Sequence, residues 1–190
     1  MDEDPKAEQI SVTIEIAGVS DAQAMSELKY ENLLHRAHAG LIQLSSDGEK
    51  EHKITSEEGV KTLANMLANS NEDDYYLVAK YHAETVGMCR MTWQPETERF
   101  QFRQFYVKPR YMGKKIGSRL FAEAKERAQK SSHTPQGIFL YTGDYNQAAQ
   151  NMYAHWGFKH ASREESKFEQ FDEGRMVEWV KMMLDFKETR

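Results

Sequence analysis

A turn rich in glycine and lysine is the part of this sequence whose residue types point most directly to chemistry. Before it, Phe105, Tyr106 and Val107 are aromatic or β-branched, as in a strand. Pro109 ends this strand because it has no N–H to donate to a neighbour. The turn then consists of Met112, Gly113, Lys114, Lys115, Ile116, Gly117 and Ser118. The free N–H groups and positive end of a helix starting here, together with the lysines, would favour an anion, so we expect a phosphate-bearing ligand.

Two established phosphate-binding motifs do not match this turn. A P-loop needs two glycines set further apart and a Lys-Ser or Lys-Thr pair, and the dinucleotide fingerprint needs three glycines at fixed offsets. An ordinary strand-to-helix turn with solvated lysines is the alternative that these residues alone leave open. The rest of the chain has to decide between an anion site and an ordinary turn.

A second group of functional residue types follows further along the chain. Asn146, Ala149, Tyr153, Gly157 and Phe158 are separated by three, four, four and one positions. Asparagine caps helices and glycine ends them, so this spacing predicts a helix over 147–156. The Tyr153 hydroxyl could donate a proton, although a packed amphipathic ring explains the residue as well. Just upstream, Asp144 is a candidate general base, and it is also an ordinary turn residue.

Hydrophobic periodicity predicts the elements that would position these groups. A helix after the glycine-lysine turn has one apolar stripe: Ile116, Leu120, Phe121, Ala124 and Ala128. Upstream we expect a strand over 10–16 with one buried face, and helices opened by capping boxes at Ser20 and Thr55. A hairpin over 75–93 and a strand from Arg99 follow. Downstream, strands are predicted over 138–142, 158–161 and 176–186.

The strand before the glycine-lysine turn has an irregular pattern. Phe100 and Phe102 have one parity, whereas Phe105 and Val107 have the other, so strict alternation cannot place all of them on one face. A β-bulge near Arg103 and Gln104 would bring all four side chains to one face. It would also leave backbone groups free for an extended ligand. A strand buried on both faces needs no bulge and is the alternative.

Composition limits the classes of function. The chain has 190 residues and a formal net charge of -5, so we expect one large domain without the broad basic surface that binds nucleic acid. Cys89 is the only cysteine and the seven histidines are scattered, so neither a disulfide framework nor a metal site is expected. The acidic N-terminus resembles no secretory signal, and no apolar run is long enough for a bilayer, so we expect a cytoplasmic protein without membrane contact.

The two motifs together resemble the GNAT superfamily of N-acetyltransferases. The family pattern is Val-x-Pro-x-Tyr before a glycine-rich turn, followed by Asn-x-x-Ala-x-x-x-Tyr-x-x-x-Gly-Phe, and here Val107, Pro109 and Tyr111 form the lead. The order of elements over 10–186 is also similar. The resemblance implies an α/β fold of the α+β type, in which a mixed central sheet of about six or seven strands is flanked by about four helices. Residues 1–9 are charged, so we expect a flexible segment there, and no repeat, linker or composition break marks a second domain, so we expect a single domain over 10–190.

The resemblance also implies a reaction and a role for each site residue. Acetyl-CoA would be the co-substrate, without a metal, and an acetyl group would pass directly to an amine acceptor. The pyrophosphate would bind the turn, and the pantetheine arm would pair with the strand edge over 105–107. An N–H near Val107 would polarise the thioester carbonyl, and Tyr153 would protonate the departing thiolate. Asn146 would bind the cofactor or order its turn, and Asp144 or a water chain could serve as the base.

Two departures from the family pattern leave a second function open. Lys115 stands where an inner glycine is expected, and the preceding strand offers Gln101, Arg103 and Gln104 where many members have a carboxylate. A coenzyme A-binding sensor without turnover is therefore the alternative to an enzyme. Acceptor specificity would come from the irregular segments 35–54 and 163–175. The apolar run at Met182, Met183, Leu184 and Phe186 either completes the core sheet or forms a homodimer contact.

Overall fold

A computed structural model describes residues 10–42, 53–170 and 176–186, which form a mixed α/β fold around an eight-stranded, mostly antiparallel sheet. The predicted fold class is confirmed. The strands are β1 Thr13–Ile16, β2 Asp74–Tyr81, β3 Glu84–Gln94, β4 Arg99–Val107, β5 Gly137–Gly143, β6 Lys159–His160, β7 Lys167–Gln170 and β8 Met176–Asp185. The helices are α1 Ala22–His38, α2 Glu57–Ala68, α3 Ile116–Gln129 and α4 Gln147–His155. None of the described helices has the length and apolar character that a transmembrane segment requires.

The chain divides into two compact units, and the first comprises Met1–Asn71, Tyr75–Arg90 and Gln104–Glu123. Within it, β1 pairs antiparallel with β2, and β3 lies beside β2. Its core is formed by buried side chains of α1, α2, β2 and β3: Met25, Leu28, Leu63, Leu67, Tyr76, Val78 and Met88. Helix α2 contributes Leu63 and Leu67 to this core.

The second unit comprises Glu72–Asp74, Met91–Arg103 and Ala124–Arg190. Here β4 pairs in parallel with β5, which in turn pairs antiparallel with β8. Strands β6 and β7 both pair with β8. Because β8 is hydrogen-bonded along β5 and Met182 is fully buried, the apolar run near the C-terminus completes the core sheet, one of its two predicted roles.

Both predicted capping boxes are wrong in detail. Helix α1 begins at Ala22 after a 3-10 turn, and it is the Asp21 carboxylate that accepts a hydrogen bond, from the Gly18 N–H at 2.9 Å. Helix α2 is capped by Ser56, whose Oγ accepts from the Gly59 N–H at 3.1 Å. Thr55 and Ser56 are both competent caps, so composition alone could not choose between them.

The predicted strand over 10–16 corresponds to β1, and the predicted strand with the irregular pattern corresponds to β4. In β1, Val12 precedes the strand and is buried, but Ile16 is 43% exposed, so the expected buried face is only partly realised at this sheet edge. In β4, Gln104 has φ +46°, a left-handed conformation inside a strand, which supports the bulge. Arg103 is exposed, which excludes a strand buried on both faces. The predictions for 1–9, for 43–52 and for 171–175 lie outside the described residues.

Candidate functional site

The glycine-lysine turn leads directly into α3, as predicted. The first bond of the helical ladder that follows runs from the Arg119 N–H to the Lys115 carbonyl at 3.2 Å. The N–H groups of Ile116, Gly117 and Ser118 precede it and therefore have no acceptor within the helix. The first turn of α3 contains no acidic residue to neutralise them. The start of α3 consequently offers donors and a positive dipole end to an anion.

The backbone of the turn is left-handed at two positions. Gly113 has φ +78°, and apart from its two chain neighbours no described residue would come within 4 Å of a Cβ at this glycine. Lys115 has φ +61° and is exposed. Glycine adopts this region freely, whereas a side chain is disfavoured there. The position at which the family pattern leads one to expect glycine is therefore a position whose conformation favours glycine.

The end of β4 is held against the start of α3. A Cβ on Gly117 would lie 2.8 Å from Cζ of Phe105, so a larger residue would displace that ring. Tyr106 packs against the core of the first unit, and burial raises the pKa of its phenol. Its side chain thus has a structural role, while Val107 is partly exposed.

The pairing of β4 with β5 lies at the start of β4. Its parallel pairing with β5 covers only three pairs, from Arg99 with Gly137 to Gln101 with Phe139. The pairing of an extended ligand with the strand edge over 105–107 stays a prediction.

Glu84, which the sequence suggested only as part of a hairpin connection, organises the lead into the turn. Its Oε1 lies 2.7 Å from Lys108 Nζ, and its Oε2 accepts a hydrogen bond from the Tyr111 hydroxyl at 2.9 Å. Arg110 pairs with the same carboxylate, and Glu31 lies 3.5 Å from Lys108. Hydrogen bonding to Lys108, and then to the other donors, lowers the pKa of Glu84 to about 2. The Val-x-Pro-x-Tyr lead is therefore anchored by a buried cation and one carboxylate.

In the second unit, Asn146 caps α4. Its Oδ1 accepts a hydrogen bond from the Ala149 N–H at 3.3 Å, and the helix ends at His155, close to its predicted end. Asp144 is exposed, and its Oδ1 accepts from the Tyr145 N–H at 2.9 Å. Both residues thus have a local structural role, and their roles toward a cofactor or substrate stay predictions.

Tyr153 is buried within an aromatic cluster of the second unit and is 8% exposed. Its ring centroid lies 6.5 Å from that of Phe102, 5.7 Å from Trp156 and 5.9 Å from Phe158, each in an edge-on arrangement. These contacts fix the position of the ring, as a general acid requires and as ordinary packing would also produce. The function of its hydroxyl stays a prediction.

A buried cysteine and a cluster of possible metal ligands also have to be considered. Cys89 is fully buried, and burial raises the pKa of its thiol, so it acts as a small hydrophobic residue rather than as a nucleophile. Glu72, Asp73 and His133 place ligand atoms within 4.8 Å of one another, a group that sequence reasoning missed because His133 lies 60 positions from Asp73. His133 pairs with Asp73 and stacks on Trp93 at 4.4 Å, so it anchors its loop to the end of β3.

Comparison with known proteins gives a family and a fold. A model described as the acetyltransferase (GNAT) family matches residues 36–158, which includes both motifs. No curated protein matches the chain by sequence.

Several solved structures have a similar fold. The PaiA N-acetyltransferase from Thermoplasma acidophilum, in complex with coenzyme A, is 19% identical over 93% of this chain and 100% of that chain, with a TM-score of 0.67. YncA from Salmonella typhimurium, a putative acetyltransferase with acetyl-CoA, is 18% identical over 95% and 96%, with a TM-score of 0.69. The ribosomal-protein-S18-alanine N-acetyltransferase from Escherichia coli is 19% identical over 92% and 94%, with a TM-score of 0.62.

Proposed function

This chain belongs to the acetyltransferase (GNAT) family, and from that premise we propose that it moves an acetyl group from acetyl-CoA to a primary amine. The amine is that of a small molecule or of a protein or peptide, and transfer is direct, within a complex that contains both substrates. The observation that supports the proposal most is the first turn of α3, where N–H groups without helical acceptors meet two lysines. Relatives crystallised with coenzyme A or acetyl-CoA support the choice of ligand.

The residues of the turn suit a pyrophosphate. The backbone N–H groups of Ile116, Gly117 and Ser118 donate to phosphate oxygens, and Lys114 and Lys115 add positive charge beside them. Gly113 allows close approach of the ligand to the backbone, because no described residue beyond its two chain neighbours lies within 4 Å of the position of its Cβ. Glu84 keeps the lead into this turn in place through Lys108 and Tyr111.

The end of β4, over 105–107, is the segment that we assign to the pantetheine arm and the thioester. Backbone groups of Phe105, Tyr106 and Val107 pair with the amides of the arm, as a further strand would. The N–H near Val107 polarises the thioester carbonyl and stabilises the negative charge that develops on its oxygen as the amine attacks.

Two proton transfers accompany the acetyl transfer. The amine attacks in its unprotonated form, and Asp144, directly or through a water chain, receives its proton. The departing thiolate of coenzyme A gains a proton from the Tyr153 hydroxyl. Asn146 orders the start of the helix that bears this tyrosine, since it caps α4.

A second candidate function is a coenzyme A-binding module without turnover. Two observations favour it: β4 contains no carboxylate that could serve as a base, and Lys115 occupies a left-handed position suited to glycine. Such a protein would bind the coenzyme through the same turn but would lack an efficient route for the proton of the amine.

Release of free thiol from acetyl-CoA separates the two candidates. The full-length protein is incubated with acetyl-CoA and a panel of polyamines, amino acids, aminoglycosides and peptides, while calorimetry measures the affinity for coenzyme A. Amine-dependent thiol release supports the enzyme. Binding of coenzyme A without release for any acceptor supports the module, and the absence of binding contradicts both.

A further inference from the structure

Gln104 combines two unfavourable features at one position. Its φ of +46° lies in the left-handed region, which is sterically disfavoured for a residue with a side chain and unusual within a strand. Its side-chain oxygen Oε1 is buried, and among the described residues none donates a hydrogen bond to it. Buried acceptors in folded proteins nearly always have a donor, because burial removes their hydrogen bonds to water.

Packing does not account for a glutamine here. Glycine would remove the backbone strain, and methionine of similar size would remove the unpaired acceptor. Backbone strain and unpaired buried polar groups tend to occur at ligand sites, where a bound partner makes them useful. The two features together therefore point to a ligand that supplies the missing donor.

The position of Gln104 indicates what kind of group would supply this donor. The residue directly precedes 105–107, the strand edge that we assign to the pantetheine arm, and it follows Gln101, where the pairing of β4 with β5 ends. An amide oxygen accepts a hydrogen bond from an N–H group but does not take up a proton at neutral pH. Gln104 is consequently suited to orient a nitrogen, not to deprotonate it.

We infer that Gln104 Oε1 accepts a hydrogen bond from an N–H group of the bound substrates. The donor is either the amine that receives the acetyl group or an amide of the pantetheine arm, both of which present the same chemistry. This inference rests on the proposed function, since both substrates derive from it. Gln104 thereby orients one reactant beside the thioester, and binding supplies the donor that Oε1 lacks among the described residues.

The test compares Gln104→Met, which removes the acceptor at nearly constant size, with Gln104→Glu, which keeps an acceptor oxygen. Gln101→Met on the same strand is the matched control. Because no described residue donates to this acceptor, Gln104→Met should unfold at a temperature no lower than wild type. It should also raise either the KM for the fastest amine of the panel or the Kd for coenzyme A about tenfold, as loss of one hydrogen bond predicts.

Each outcome has a defined meaning. A raised KM for the amine with unchanged Kd identifies the amine as the donor, and a raised Kd identifies the pantetheine amide. In both cases Gln104→Glu should recover most of the loss, and Gln101→Met should behave as wild type. A lower unfolding temperature with unchanged KM and Kd overturns the inference. If the wild-type protein acetylates no amine, which contradicts the proposed enzyme, the Kd for coenzyme A alone decides, and an unchanged value in Gln104→Met overturns the inference.

Discussion

Glu84 and Lys108 form an ion pair of 2.7 Å that ties the hairpin between β2 and β3 to the lead into the glycine-lysine turn. Lys108 is only 8% exposed, so its charge requires a partner. Tyr111 donates to the other carboxylate oxygen, and Arg110 approaches the same group. The turn is therefore positioned by one carboxylate that lies 24 residues before the lysine it binds.

The stability of the protein should depend on the ionisation of Glu84. Its pKa in the folded protein is about 2, below the ordinary value of 4.5. The paired carboxylate therefore stabilises the fold above pH 4.5, and this contribution is lost as the pH falls toward 2. At pH 7, Glu84→Gln should lower the free energy of unfolding by about 1–2 kcal/mol, after allowance for partial solvent screening. Urea unfolding at pH 7, 5 and 3 measures both the loss and its pH dependence.

A matched control is available on α3. Glu126 pairs with Lys130 one helical turn away, and both side chains are exposed. Glu126→Gln should have no measurable effect, because exposed ion pairs contribute little. Two outcomes would contradict the role of the Glu84 cluster. One is a difference in the free energy of unfolding between wild type and Glu84→Gln that does not shrink at low pH. The other is an equal loss of stability in Glu84→Gln and Glu126→Gln.

Lys115→Gly should stabilise the protein. At φ +61° the lysine side chain is disfavoured, whereas glycine adopts this conformation without strain. We expect a gain of about 0.5–1 kcal/mol, since the greater freedom of glycine in the unfolded chain offsets part of the relief. Lys114→Gly removes the same charge at a residue without a positive φ and should be neutral or destabilising. Equal changes for the two variants in thermal unfolding would rule out backbone strain as the cause.

Gly87→Ala should be clearly destabilising. A Cβ at this buried glycine of β3 would lie 2.9 Å from Leu120 Cδ1, 3.2 Å from Ile116 Cγ2 and 3.3 Å from the Tyr106 carbonyl oxygen. The buried Leu120 and Ile116 side chains of α3 would have to shift, and overpacking of this kind typically costs about 1–3 kcal/mol. Denaturant unfolding checks this loss, and calorimetry shows whether coenzyme A binding weakens with the displaced helix start.

Gly18→Ala serves as the comparison for Gly87→Ala. The nearest atom to its Cβ would be Ser20 Oγ at 3.9 Å, and the backbone has φ -104°, so the substitution should change stability by less than about 0.5 kcal/mol. If both alanine variants proved equally stable, the close packing of α3 on Gly87 would not be needed for the fold.

Local patterns predicted the elements of this fold because their signals lie within a few residues. The hairpin over 75–93 and the stripe of α3 are examples. The structure places the turn of this hairpin at His82 and Ala83, whose left-handed conformation suits a two-residue turn. The family pattern likewise indicated glycine at position 115, and the backbone there is left-handed. The exact first residue of a helix was harder to predict, since adjacent residues such as Thr55 and Ser56 can both act as caps.

Tertiary relationships could not be predicted in the same way. Neither the pairing of Glu84 with Lys108 nor that of Asp73 with His133 leaves a local pattern, because the partners meet only after the strands between them have aligned. The aromatic cluster around Tyr153 is a mixed case. Trp156 and Phe158 are near in sequence, but Phe102 comes from β4 and is brought to the ring by the fold.

Tyr153→Phe should lower turnover much more than coenzyme affinity. The variant keeps the ring and its contacts with Phe102, Trp156 and Phe158, but it removes the proton that we assign to the departing thiolate. Loss of a general acid typically reduces kcat by about 100-fold or more, with little change in the Kd for coenzyme A. Phe158→Leu is the packing control, because it loosens the cluster while the hydroxyl is retained. It should lower the unfolding temperature more than it lowers kcat, and equal turnover of wild type and Tyr153→Phe would exclude this tyrosine as the acid.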